Sequence, residues 1–73
     1  AAMCLGRIGK AAFPILHQFL ESDNSSLRFY GLLGFRSAGS EAKSEISKLE
    51  IFLNDKDSGV RKQAELAIDA IEN

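Results

Sequence analysis

The sequence predicts an all-α fold in which similar helix pairs stack side by side, and three observations predict it. The chain matches itself after a shift of 33 residues: Phe13, Leu16, Phe19, Leu20, Leu27 and Arg28 return as Ile46, Leu49, Phe52, Leu53, Val60 and Arg61. Lys10 likewise returns as Lys43, Asn24 as Asp57, Ser25 as Ser58 and Gly31 as Ala64, so small and polar positions recur with the apolar ones. Apolar residues also fall at three- and four-residue spacing, the period of a helix with one buried face. Finally, no stretch alternates apolar and polar residues as a half-buried strand does. A self-match at this period marks a repeat protein, in which each unit covers the apolar face of its neighbour.

Five helical segments follow in order. Residues 1–8 carry Ala1, Cys4, Leu5 and Ile8 on one face and stop at Gly9, a residue suited to a left-handed C-terminal cap. Residues 11–21 align Ala12, Phe13, Leu16, Phe19 and Leu20, with Pro14 in the opening turn, where a missing N–H costs little. Residues 25–38 start after Asn24, a good N-cap, carry Leu27, Gly31, Phe35 and Ala38, and stop at Gly39. Gly31 and Gly34 weaken this helix by about 1 kcal/mol each, which is tolerable where a second helix crosses closely.

The fourth segment, 41–54, is expected to be capped by Ser40 and to bury Ala42, Ile46, Leu49 and Leu53, with Phe52 on the flank. The fifth, 58–72, follows Asp57 as N-cap, with Val60, Ala64, Ala67, Ile68 and Ile71 inside and Lys62, Glu65, Asp69 and Glu72 outside. Each unit is then two antiparallel helices joined by a tight turn. Units of roughly 1–22, 23–54 and 55–73 make about two and a half repeats.

The chain has 73 residues, enough for one small domain that buries only about 60% of its unfolded surface. Stacked arrays usually need about three units, so the sequence reads as an excerpt of a longer one. Residues 1–40 hold four basic side chains against two acidic, and residues 41–73 five against eight. Neither half has the concentrated positive charge that phosphate neutralisation demands, so nucleic acid is not an expected partner. A single cysteine excludes an internal disulfide and a cysteine-based zinc site. No run approaches the roughly 18 apolar residues of a membrane span, and no signal peptide is visible. The expectation is a protein with no membrane association, placed in the cytoplasm.

Three stretches carry a family resemblance: Ala1-Ala2-Met3-Cys4-Leu5-Gly6-Arg7-Ile8-Gly9, Ala12-Phe13-Pro14-Ile15-Leu16, and Asp55-Lys56-Asp57-Ser58-Gly59-Val60-Arg61-Lys62-Gln63-Ala64. They resemble HEAT repeats, and more narrowly the short bacterial type called phycobilisome-lyase-like. That type has the patterns A-x-x-L-G-x-I-G and D-x-D-x-x-V-R-x-x-A and an early proline in its second helix. The third segment departs from it, with Phe35-Arg36-Ser37-Ala38-Gly39 in place of Leu-Gly-x-Ile-Gly, and Ser47 stands where the proline is expected. The resemblance implies a right-handed α-α superhelix, a solenoid whose second helices line a concave face that holds another protein. An alternative it also carries is a phycobilin lyase-like segment cradling a chromophore or its acceptor protein. Fold alone does not choose between them.

The chain offers little for catalysis. His17 is the single histidine and is read as an exposed, inert side chain, since a metal site needs several convergent ligands. Cys4 lies on an apolar stripe and reads as a small core residue. There is no phosphate-binding loop and no nucleophile elbow. No catalytic, metal-binding or cofactor-binding residue is assigned, and no cofactor is expected. A core stripe of Ile46, Leu49 and Leu53 sets Ser44, Ser47, Ile51 and Asn54 on the opposite side, and the matching positions of the second segment include Gln18 and Glu21. These six are the candidate partner-binding residues, with Ile51 the apolar one among them.

Arg28 and Arg61 share one repeat position, and Asp55 precedes Arg61 by six residues. The resemblance implies an Asp and Arg ladder that braces the turns, and Asp55 is the expected partner of Arg61. In the first unit Ser22 stands at the Asp55 position, so the ladder is expected to be incomplete. The closing helix lacks a following second helix. Leu66, Ala70 and part of its Val60–Ile71 stripe are therefore expected to be exposed and to drive self-association through the repeat ends.

Overall fold

In a computed structural model of the chain, residues 10–72 are described, and among them every regular element is helical. The first expected segment, with Cys4, Arg7 and Gly9, lies outside the described residues. Lys10–Ala12 make a 3-10 turn that leads into α1, Phe13–Leu20. Pro14 stands in its first turn, where the absent N–H had no intrahelical partner. Phe13, Leu16 and Leu20 are buried along one stripe.

Helix α2 spans Ser25–Ala38, as its signals predict. Asn24 is extended and its Oδ1 accepts from Ser26 N at 2.8 Å. The helix ends at Gly39, whose positive φ of 62° is one that glycine adopts without a Cβ penalty. Gly31 faces α1 so closely that a Cβ would lie 3.1 Å from Leu16 O and 2.9 Å from Leu20 Cδ2. The close helix crossing expected from the glycine is therefore present. Leu27 corrects the expected stripe: it keeps 38% exposure, while Arg28, Leu32 and Phe35 turn inward.

The largest departure from expectation is residues 39–54. Instead of one α-helix, the chain runs as a 3-10 helix over Gly39–Glu45, a single α turn, α3, over Ile46–Leu49, and a second 3-10 helix over Glu50–Asn54. None of the three starts is capped by a side chain, so Ser40 is not the cap expected. The change of period re-aims the side chains. At three residues per turn, Phe52 follows Leu49 onto the same face, whereas at 3.6 that place belongs to Leu53. Leu49 is accordingly fully buried and Phe52 packs on the core, while Leu53 is 40% exposed.

Helix α4, Ser58–Glu72, again follows the prediction. Asp57 Oδ1 caps it by accepting from Gly59 N at 2.8 Å and Val60 N at 3.1 Å. Val60, Ala64, Ala67 and Ile71 are buried, and Arg61, Lys62, Glu65, Asp69 and Glu72 are exposed. The expectation that part of this stripe is exposed is thus corrected, because α4 lies against both α2 and the 39–54 segment and is covered by them. Leu66 and Ala70 are half-buried.

Helix α2 is the centre of the molecule. Gly31 meets α1, while Arg28 and Arg36 reach towards α4 and the turn before it. The fully buried side chains Leu16, Leu32, Phe35, Leu49, Val60 and Ile71 come from every layer around it. The rings of Phe13 and His17 each lie 5.0 Å from the ring of Phe35.

Candidate functional site

Two turns, 21–24 before α2 and 54–57 before α4, are built alike. Ser22 Oγ accepts from Asn24 N at 3.0 Å, and Asp55 Oδ1 accepts from Asp57 N at 2.9 Å. Asn24 caps α2 through Oδ1 and Asp57 caps α4 through Oδ1. Arg28 Nη1 then donates to Ser22 O at 2.9 Å, and Arg61 Nη1 to Asp55 O at 2.6 Å, each arginine reaching the carbonyl six residues earlier. The 33-residue sequence match is therefore also a match of three hydrogen bonds.

The carboxylate of Asp55 goes elsewhere than expected. Arg28 Nε donates to its Oδ2 at 2.9 Å and Arg28 Nη2 to its Oδ1 at 3.1 Å, a bidentate pair that ties α2 to the turn before α4. Arg61 meets only the main chain of Asp55, so the expected Asp55–Arg61 pair of side chains is corrected. Arg61 rises from the same turn as Asp55 and reaches back along it, whereas Arg28 approaches from the neighbouring helix and meets the carboxylate head-on. Burial raises the Asp55 carboxyl, but the hydrogen bond from Arg28, the Asp57 amide and the charges of Arg28 and Lys56 outweigh it and hold the group below its ordinary range. Arg36 Nη1 donates to Oε1 of the buried Gln63 at 3.3 Å, a second polar tie between α2 and α4.

All six candidate partner-binding residues, Gln18, Glu21, Ser44, Ser47, Ile51 and Asn54, are exposed. Ile51, at 68%, is the most exposed of the large apolar side chains. Beside them stands a pair that the sequence reading missed. His17 Nε2 lies 2.6 Å from Glu45 Oε1, with the two side chains only 27% and 13% exposed, so His17 is half-buried and partnered rather than free. Ser44 Oγ donates to Glu45 Oε2 at 3.0 Å, and Lys48 Nζ lies 3.6 Å from Oε1. The hydrogen bond from His17 is the main influence lowering the Glu45 carboxyl. Burial opposes it, and Ser44 and the charges of Lys48 and His17 add to it. This pair brings Gln18, the residue after His17, and Ser44, the residue before Glu45, to one place between α1 and the 39–54 segment. No local pattern announces it, since the partners stand 28 residues apart.

The cluster does not pair a serine with the histidine. An activated serine needs its hydroxyl on a base, but Ser44 donates to the carboxylate and has no contact with the imidazole. Among the described residues, no group of three His, Cys, Asp or Glu side chains could hold a metal ion, and no helix is long and apolar enough to cross a membrane. A shallow cavity of about 170 Å³ lies apart from this face, lined by Ser25, Ser26, Phe29, Tyr30 and Asp57. Compared with protein-family models, curated proteins and solved structures, the chain matches none.

Proposed function

We propose that the chain is a non-enzymatic, protein-binding segment of a cytoplasmic α-solenoid of HEAT type, with units at roughly 1–22, 23–54 and 55–73. Its binding face is formed by the second helices of the units, which carry Gln18, Glu21, Ser44, Ser47, Ile51 and Asn54. What supports the repeat reading is the recurrence of three hydrogen bonds at the 33-residue period, with Arg28, Asp55 and Arg61 in bracing rather than ligand-binding roles.

The observation that carries the binding reading is Ile51: it stands 68% exposed while Leu49, two residues earlier, is fully buried. An apolar side chain between polar neighbours, on a segment tied down by His17 and Glu45, is suited to anchor a partner. A photoreactive residue placed at position 51 tests this in cells. A specific polypeptide adduct that disappears on crosslinking from Glu72 instead supports the reading. No adduct, or an adduct absorbing visible light as a bilin does, overturns it.

A further inference from the structure

We propose that the cavity between α2 and the turn before α4 is a binding site for one organic cation, a guanidinium or ammonium head group. Its walls are Ser25, Ser26, Phe29, Tyr30 and Asp57, and its volume of about 170 Å³ admits a single side-chain head rather than a drug-sized ligand. It shares no residue with the candidate binding face, so the inference stands without the proposed function.

The repeat shows what is particular to this place. At the 33-residue shift Ser25, Leu27 and Arg28 return as Ser58, Val60 and Arg61, but Phe29 and Tyr30 return as Lys62 and Gln63. The cap and arginine bonds of the turn recur across that shift, and the aromatic pair does not. Core packing accounts for one ring of the two: Phe29 is half-buried and rests on the core, whereas Tyr30 keeps 49% exposure. The rings stand edge to face, with centroids 5.9 Å apart and planes at 84°. Tyr30 thus gives the cavity an aromatic wall that the core does not require.

The remaining walls are polar, and their one formal charge is negative. Asp57 Oδ1 caps α4 by accepting from Gly59 N and Val60 N, while Oδ2 has no hydrogen-bond partner among the described residues. The hydroxyls of Ser25, Ser26 and Tyr30 have none there either. No cation of the described chain fills the place. Arg28 is held by Asp55 and Ser22 O, Arg61 by Asp55 O, and Lys56 and Lys62 are exposed and do not line the cavity.

An anion is the competing occupant, because the first turn of α2 adjoins the cavity and a helix N-terminus carries about half a positive charge. That turn is already answered: Ser26 N donates to Asn24 Oδ1, and Leu27 N and Arg28 N donate to Asn24 O. The full charge of Asp57 therefore sets the sign. A cation gains from the carboxylate and from the negative faces of the two rings, and its N–H groups find acceptors in Oδ2 and the hydroxyls. Two sources share this chemistry, the arginine or lysine side chain of a polypeptide and a free small amine.

The test is a titration of the whole chain at constant ionic strength, followed by nuclear magnetic resonance of its amides and aromatic rings. The probes are Nα-acetylarginine amide, Nα-acetyllysine amide, tetramethylammonium chloride and sodium phosphate. At least one cation should give saturable shifts at Ser25, Ser26, Phe29, Tyr30 and Asp57, with Overhauser contacts to both rings, and phosphate should give none. Saturation by the amino-acid amides alone assigns the head group to a polypeptide side chain, and saturation by tetramethylammonium to a free amine. Asp57→Asn keeps a capping oxygen and removes the charge, and should raise Kd about tenfold or more; Tyr30→Ala, at an exposed ring, should raise it about threefold or more. Unshifted signals from Phe35 and Ile71 show that each variant keeps its fold. Saturable shifts with phosphate in place of the cations, no saturable shift with any of the three cations, or cation binding unchanged by either substitution overturns the proposal.

Discussion

Arg28 and Arg61 begin from the same place and end differently. Each rises from the first turn of a helix capped by Asn24 or Asp57, and each donates Nη1 to a carbonyl six residues back. Arg28 is nonetheless buried and holds a carboxylate bidentately, while Arg61 is exposed. The local bonds are properties of the repeat. The long-range bond depends on what packs next to it: the turn carrying Asp55 lies beside α2, whereas the outer flank of α4 is lined by Lys62, Glu65, Asp69 and Glu72. A repeated sequence thus fixes a repeated turn but not a repeated partner.

The strongest way to break this comparison is to truncate each arginine. Arg28→Ala should cost about 2–4 kcal/mol, because it leaves Asp55 in a dry site without its cation. Arg61→Ala should cost less than about 1 kcal/mol, as one hydrogen bond from an exposed side chain. Urea denaturation measures both, and a double-mutant cycle should find coupling of Asp55 with Arg28 and none with the Arg61 side chain. The pH dependence follows with a definite sign. The Asp55 carboxyl is held below its ordinary 3.8, so its stabilisation is present above that pH and is lost as pH falls through the lower folded value. Asp55→Asn should remove that part of the acid limb. Equal costs for the two arginines would mean that the brace is no stronger than the turn bond they share.

These contrasts also locate what could be read from the sequence. The bounds of α2 and α4 and their caps at Asn24 and Asp57 were legible because each depends on residues within a turn or two, and the close approach at Gly31 because a glycine inside a helix needs a packing reason. The sequence singled out Arg28, Asp55 and Arg61, but not the pairing of Arg28 with Asp55, because a repeat position names a residue and not its neighbour. His17 and Glu45 gave no signal, since neither belongs to the 33-residue match. The 39–54 segment was misread because Ala42, Ile46, Leu49 and Leu53 keep an α period, and no local residue marks the two 3-10 stretches.

A sharper probe exchanges the small residues of the two helices. Gly31 and Ala64 share a repeat position and both are buried, but Gly31 lies against α1 at distances a Cβ would make too short. Gly31→Ala gains about 1 kcal/mol of helix propensity and must push against the Leu16 carbonyl, so it should be net destabilising by about 1–2 kcal/mol. Ala64→Gly loses propensity and a buried methyl, again about 1–2 kcal/mol. Both substitutions should therefore lower the urea midpoint. A stabilising Gly31→Ala would show that α1 can retreat, and that the two helices are more alike than their neighbours make them.

The smallest expected difference lies at the caps. Asp57 accepts from two helix amides, Gly59 N and Val60 N, and brings a negative charge to the N-terminus of α4. Asn24 accepts from one, Ser26 N, and is neutral. Asp57→Ala should then cost about 1–2 kcal/mol and Asn24→Ala about 0.5–1 kcal/mol. Asp57→Asn separates the two causes, since it keeps an acceptor oxygen and removes the charge. Its cost should shrink with added salt, because the charge–dipole contribution is screened while the hydrogen bonds are not. Identical costs for the two alanine variants at low salt would show that the turns before α2 and α4 are equivalent in energy as well as in geometry. The difference between the units would then reside wholly in the bond from Arg28 to Asp55.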